Sequence, residues 1–472
     1  MEKWAGVLWG LVLLTLPVTS FRYFPGVLGR TVVKPLAFYP LALLLVVLAL
    51  LLWRGQRRRL PANTTPLLAF LLFALAASAL GALLAPVDMR GAAYLDRVLR
   101  GWLSLGIGLA FFLAAFWMNR DEADLRRSLN WLLAGLGLTL AWSLVQALAV
   151  NTELIRNVDV DRIQELFSER GTQVRRVTGF AYEPAWLADQ IVLYYMPWLF
   201  AALITGWHLS RRRWLEGLLF VLCGAVLLFT YSRSGLFGGV LTIAIVAVLL
   251  GRGWLLRSWA WFAGAFRGRR LQGMALRVML VAIVALAALG AFGYLRSYPY
   301  FANLWQAERG QTLTNYLIDI NIAPRVAYAT AGYRVYAAHP LSGVGLGASG
   351  LYLFDQYPDW SLSIPEIARQ LAPDSNIVPN PKNLYTRLLA ETGLPGLWLF
   401  GAFMLSTLGI LRRQWLSGER WLRYVAAAGL FVWVGLAIRN LTQDSLTFPI
   451  MWVSLGMVVG FGKGEAAEDG NT

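Results

Sequence analysis

The sequence predicts an all-α polytopic membrane protein, and three observations carry the prediction. Of its 472 residues, 58% are hydrophobic and 14% charged, too few polar groups to clothe a soluble chain of this length. Apolar runs of roughly 18–22 residues recur along it, the length a helix needs to cross a bilayer. The 42 Lys and Arg against 26 Asp and Glu give a formal charge of +16. That excess sits in short clusters between apolar runs, so it reads as a topology signal, and no nucleic-acid partner is expected. The single cysteine, Cys223, lies in an apolar run, which excludes an intramolecular disulfide and a multi-cysteine metal site. No metal and no cofactor are expected.

About twelve transmembrane helices are expected, at 4–20, 36–53, 64–84, 99–118, 129–150, 184–206, 214–231, 234–251, 277–295, 393–411, 424–438 and 446–462. The first resembles a signal sequence, but no small-residue cleavage site follows it, so it is read as a retained helix. The connections after helices two, four, six, eight and ten hold twenty cations, against eight in the short connections of the other parity. The positive-inside rule then places the first set, and both termini, in the cytoplasm. Segment 252–276 mixes Trp254, Trp259 and Trp261 with arginines and is expected to lie as a helix on the inner leaflet. The resulting units are 1–295 with nine helices, an outer loop at 296–392, three helices in 393–462 and an acidic cytoplasmic tail at 463–472. A second polar segment, 151–183, also faces outward. Long polar loops in such a protein usually carry function. There is no internal repeat and no inverted pair of broken helices of the kind transporters use.

Four stretches could do chemistry. The first, HPLSGVGLG, holds His339, the one histidine expected outside; His208, in WHLSRRR, falls on the other side. An imidazole titrates near neutrality and can move a proton. Pro340 should end a helix over 324–338 at His339, before Gly343, Gly345 and Gly347. Those glycines form a weak phosphate-loop signal, or simply permit a tight turn. The second stretch, RRVTGFAYEPAWLADQ, offers Arg175, Arg176 and Glu183, although interfacial arginines also snorkel to headgroups without further role. In the third, TYSRSG, the turn is so tight that Arg233 needs an anion or a cluster of carbonyls beside it. The fourth, NPKNLYTRLLAETGLPG, holds Lys382, Asn383, Tyr385, Arg387 and Glu391, or is an ordinary capped helix start with an interfacial tyrosine. With Arg325, Arg334 and Arg439, these form a set of outer cations suited to a phosphate or diphosphate. Among such neighbours His339 should stay neutral, as a base needs. A base beside a diphosphate clamp points to group transfer from a lipid-diphosphate carrier.

At RVTGF (176–180), TYSRSG (230–235), HPLSGVGLG (339–347) and NLYTRLLAETGLPG (383–396) the chain resembles the O-antigen ligase and polymerase superfamily, which includes bacterial O-oligosaccharyltransferases. The resemblance implies a GT-C type, metal-independent, inverting glycosyltransferase of the bacterial inner membrane. It would move a saccharide from an undecaprenyl-diphosphate carrier to a glycan or lipid acceptor outside, among membrane lipids, with a chain-length regulator as a further partner the class admits. It makes His339 the base and Arg176 and Arg233 the diphosphate ligands. Arg175, Arg325 and Arg334 would reinforce them, and Glu183, Lys382, Asn383 and Tyr385 would touch donor or acceptor. Family members often carry a histidine before the asparagine of the fourth motif; here that place is Lys382. Two competing classes stay open. One is a peptidoglycan glycosyltransferase using Asp355, Asp359 or Asp374; the other is a non-enzymatic flippase, for which Asp189 is the main intramembrane acid.

Overall fold

The computed structural model describes residues 1–25, 31–56, 60–84, 87–152, 154–173, 175–267, 271–306 and 310–461. Helices make up 72% of the structure, and among the described residues there is no strand. An α-helix stands at each of the twelve predicted places. These are α1 (Glu2–Thr15), α2 (Phe38–Trp53), α3 (Thr64–Leu84), α4 (Tyr94–Trp117), α5 (Glu122–Asn151), the pair α7 (Pro184–Gln190) and α8 (Met196–Thr205), α9 (Trp214–Phe229), α10 (Arg233–Arg267), α11 (Leu271–Ser297), α17 (Leu384–Leu416), α18 (Arg420–Arg439) and α19 (Pro449–Gly460). Among the described residues, eight spans are long and apolar enough to cross a membrane, and the chain is a polytopic membrane protein. The polar segments fold as well. Segment 151–183 contains α6 (Asn157–Phe167), and 296–392 contains α12 (Pro299–Ala302), α13 (Leu313–Asp319), α14 (Ala323–Ala338), α15 (Ser349–Tyr352) and α16 (Pro365–Leu371). The acidic tail at 463–472 lies outside the described residues.

One expectation needs correction. Segment 252–276 is not a separate surface helix: residues 252–267 extend α10, which runs for 35 residues, and α11 begins at Leu271. No proline interrupts this stretch, and the leucines and arginines between its glycines propagate a helix.

Small residues set the closest crossings. A Cβ on Gly108 of α4 would come within 2.1 Å of Trp452 in α19, and one on Gly456 within 2.4 Å of the Phe112 carbonyl. Close approach through glycine is the usual basis of helix packing in lipid. Between α7 and α8 the chain makes a π turn over Ile191–Tyr195. Pro197 is responsible in part, since it has no N–H for the Leu193 carbonyl four residues back. Ser454 Oγ donates to that carbonyl at 3.1 Å instead.

Trp207 joins several helix ends at the arginine-rich face. Its Nε1 donates to Glu122 at 3.1 Å, and its ring lies 4.4 Å from that of Tyr424. His208 pairs here with the buried Glu216, which also accepts the Leu209 N–H at 2.8 Å.

The opposite end is organised by a break in α17 at Gly393 (φ 64, ψ −172). Pro395 has no N–H to give the Glu391 carbonyl, and the break turns the Leu394 N–H away from Ala390. The HPLSGVGLG loop repairs both losses. Val344 N–H donates to Ala390 at 2.9 Å, Gly345 N–H to Glu391 at 2.9 Å, and Leu394 N–H to Pro340 at 2.9 Å. Gly343 and Gly345 have φ of 62 and 96. A Cβ would meet the Glu391 backbone at 2.4 Å in the first case and the Tyr94 hydroxyl at 2.2 Å in the second. Gly345→Ala combines left-handed strain with overpacking and should cost about 2–4 kcal/mol, read as a lower midpoint of thermal unfolding in detergent.

Candidate active site

The predicted cations are tied together by a closed chain of contacts. Arg176 Nε donates to the Thr230 carbonyl at 3.0 Å, and the neighbouring Val177 N–H to Phe229 at 3.1 Å. RVTGF is thus hooked onto the C-terminal end of α9, immediately before Arg233 opens α10. Arg233 Nη1 donates to the carbonyl of Ile320, between α13 and α14. Five residues on, in the first turn of α14, Arg325 Nη1 donates to the Thr442 carbonyl at 2.5 Å. That carbonyl lies just past α18, whose last residue, Arg439, forms an ion pair with Asp189 of α7 at 2.8 Å. Arg439 is almost wholly buried and also lies 3.7 Å from the centre of the Phe448 ring. The circle closes where α7 meets α10: a Cβ on Gly235 would lie 2.4 Å from that of Ala188.

Arg233 and Arg325 thus both act at the N-terminal end of α14, Arg176 is held on the turn just before Arg233, and the Arg439–Asp189 pair lies beyond Thr442. The Ile320 carbonyl accepts from Arg233, and the carbonyls of Thr230 and Tyr231, in the TYSRSG turn itself, accept from Arg176.

Lys382 extends this group. Its backbone is left-handed (φ 49), its N–H donates to Asp444 at 3.2 Å, and its ammonium lies 4.4 Å from the centre of the Tyr328 ring. The same ammonium pairs with Glu366 Oε1, which also accepts the Tyr328 hydroxyl at 3.1 Å. Burial pushes the Glu366 carboxyl up, but hydrogen bonding and charge from Lys382, with help from Tyr328 and Arg325, outweigh it and hold the group below the ordinary carboxylate range. Glu366 is thus ionised at neutral pH. Both protein contacts fall on Oε1, and the side chain remains 42% exposed, so the carboxylate keeps capacity to accept a further proton donor.

The remaining predicted residues serve locally. Asn383 caps α17, accepting the Thr386 N–H at 3.1 Å, and Tyr385 donates to the Ala437 carbonyl at 2.8 Å. Glu183 lies 3.5 Å from Arg170. Arg175 is exposed and offers its carbonyl to the Tyr298 hydroxyl at 2.9 Å. Arg334 is exposed and donates to the Gln356 carbonyl at 3.1 Å. Asp355, Asp359 and Asp374 are all exposed. Arg387 and Glu391 pair with each other at 3.0 Å beneath the loop.

His339 is not among the converging groups. It caps the C-terminus of α14, and a helix of 16 residues is about 24 Å long. Arg233 and Arg325 are held at the other end. The half-buried His339 ring packs edge-on against Tyr352, with centroids 5.9 Å apart. The glycine loop after it is no phosphate cradle either, since the N–H groups of Gly343, Val344, Gly345 and Leu346 are all taken by protein acceptors. His339 thus stands at the other end of α14 from Arg325 and from the Ile320 carbonyl that Arg233 meets.

The exposed Glu366 carboxylate thus shares the α14 end of the large polar segment with Arg325 and Lys382. Residues 218–401, from α9 into α17, match the O-antigen ligase family model. No curated protein matches the chain. The matched segment contains Arg233, Arg325, Glu366 and Lys382. Arg176 and Arg439 approach it from either side.

Proposed function

We propose that this protein is a surface-polysaccharide ligase or polymerase that transfers a saccharide from an undecaprenyl-diphosphate carrier to an acceptor hydroxyl. What supports the proposal is that Arg233 and Arg325 both act at the N-terminal end of α14, with Arg176 on the turn before Arg233, and that residues 218–401 match the O-antigen ligase family model. Guanidiniums suit the oxygens of a diphosphate, and positioned donors are most effective where charge develops as that group leaves. The O-antigen ligase match favours transfer over flipping.

In this reading the acceptor oxygen attacks the anomeric carbon from the face opposite the diphosphate. The carbon–oxygen bond to the phosphate breaks, and the diphosphate departs with its electron pair onto the arginines. One displacement inverts the anomeric centre. Glu366 takes the hydroxyl proton, as the carboxylate base does in inverting glycoside hydrolysis. Lys382 and Tyr328 hold the Oε1 side and keep the group ionised. Diphosphate leaves well enough that the reading needs no metal. Twelve crossings of the inner membrane, a GT-C scaffold, cytoplasmic termini and an outward-facing site complete it, and the same site would meet a chain-length regulator only through its acceptor.

The test is product analysis in detergent, with undecaprenyl-diphosphate-linked glycan as donor and with excess chelator. Longer or newly attached glycan, of inverted linkage and at an undiminished rate under chelation, is expected. A chain that merely relocates donor between leaflets of a vesicle and forms no new linkage would overturn the proposal.

A further inference from the structure

A second cluster of cations lies at the arginine-rich face, far from the groups above. The C-terminal ends of α8 and α17, the start of α18 and the stretch of α10 around Gly253 line a cavity of about 260 Å³, with Thr205, Gly253, Arg257, Trp415, Arg420 and Arg423 on its walls. Gly253 contributes to the opening, since a Cβ there would meet nothing within 4 Å.

The arginines of this cavity differ from their neighbours. Arg120 and Arg127 pair with Asp124, and Arg126 with Glu122, at 2.8–3.4 Å. Among the described residues, no carboxylate pairs with Arg257, Arg420 or Arg423. Arg257 Nε donates to the Gly253 carbonyl of its own helix, at 3.1 Å. Nearby acids are committed: Glu216 to His208 and Glu419 to the Trp421 indole at 2.7 Å. Three like charges round one opening repel each other unless an anion joins them.

The setting identifies the anion. Trp415 lines the opening, and indoles of this kind sit at headgroup level. The four helices that form it are among those apolar enough to span a membrane. Basic pockets between membrane helices take the phosphates of anionic lipids. We infer that this cavity binds the phosphodiester headgroup of an anionic phospholipid, held by Arg257, Arg420 and Arg423 with Trp415 against its glycerol. Two other anions compete for the same chemistry, free phosphate and the acidic end of the chain, which carries Glu465, Glu468 and Asp469 just beyond Phe461. The inference is independent of the transfer reaction.

The experiment is native mass spectrometry of the full chain in detergent, titrated with cardiolipin, with phosphatidylcholine and with inorganic phosphate. Cardiolipin should bind at least tenfold tighter than phosphatidylcholine, and the triple variant R257Q/R420Q/R423Q should lose that preference. Arg423→Lys should keep most of it, and Arg423→Gln alone should weaken it severalfold, which serves if the triple variant does not fold. Millimolar phosphate should not displace the lipid, and a chain ending at Phe461 should bind cardiolipin as the full chain does. Equal binding of both lipids, retention by a folded triple variant, or displacement by free phosphate would overturn the inference. So would a large gain in affinity on removing the tail, which would mark the tail as the native occupant.

Discussion

Replacing Arg325 by alanine should lower transfer by about 10²–10³-fold, the loss that follows removal of one preorganised donor to developing charge. Arg233→Ala should do the same. Each guanidinium spends one nitrogen on a carbonyl, Ile320 for Arg233 and Thr442 for Arg325. That bond fixes the orientation of the planar fork that a diphosphate would meet. The loss should fall on kcat more than on KM, because the charge is greatest when the diphosphate is leaving. Lysine should restore little at either position, since an ammonium cannot hold the carbonyl and reach the phosphate with a rigid fork. Arg334→Ala is the internal comparison. It is exposed and bonded to Gln356 away from the cluster, and its loss should leave the rate within about twofold, in line with surface substitutions that touch no special feature. Steady-state kinetics of the three variants, with thermal unfolding to check the fold, decide the matter. Equal rates in all three would remove the diphosphate site from this end of α14.

Glu366→Gln should lower transfer by about 10²–10⁴-fold, the usual worth of a positioned base, while His339→Ala should keep most of it. The pH profile separates the two groups without mutagenesis. The Glu366 carboxyl is held below its ordinary value, so its basic form persists as pH falls and is lost only below the usual carboxylate value of about 4.3. A histidine base would be lost near about 6.5. The acidic limb of the wild-type profile should therefore lie in the carboxylate range. Lys382→Met should move that limb upward, because the ammonium is the main influence holding Glu366 down and burial acts in the other direction. A merely structural Lys382 would change the midpoint of unfolding and leave the limb where it was. An acidic limb near neutrality, or an inactive His339→Ala of normal stability, would return the base to the C-terminal end of α14.

The architecture was legible because membrane helices announce themselves by length and hydropathy, and helices stand at all twelve predicted places. The boundaries erred where polar residues begin a helix. Tyr94 to Val98 and Glu122 to Ser128 are helical although charged, because a helix can project beyond the apolar layer. Composition alone could not distinguish a surface helix at 252–276 from a long extension of α10. Arg176, Arg233 and Arg325 were legible as residues but not as a group, since carbonyls distant in sequence, those of Thr230, Ile320 and Thr442, hold them in place. Glu366 left no signal: a lone acid after Pro365 in a long polar loop resembles any other. His339 drew attention through its rarity, and rarity carries no information about which end of a helix a ligand meets. The fourth motif was read as either a polar site or a capped helix start, and it divides. Asn383 and Tyr385 cap and tether the helix, whereas Lys382 joins the cluster.

The wide turn at Ile191–Tyr195 has a consequence for Asp189 two residues before it. Five residues to that turn instead of about four amount to one surplus residue, and each residue rotates a helix by about 100°. Upstream of the surplus, Asp189 faces Arg439; downstream, the indole of Trp198 lies buried beside Tyr424. Without it, only one of these two registers could be satisfied at a time. A five-residue swelling in an apolar rod thus lets a single span serve two masters, a charged pair near one membrane face and an aromatic cluster near the other.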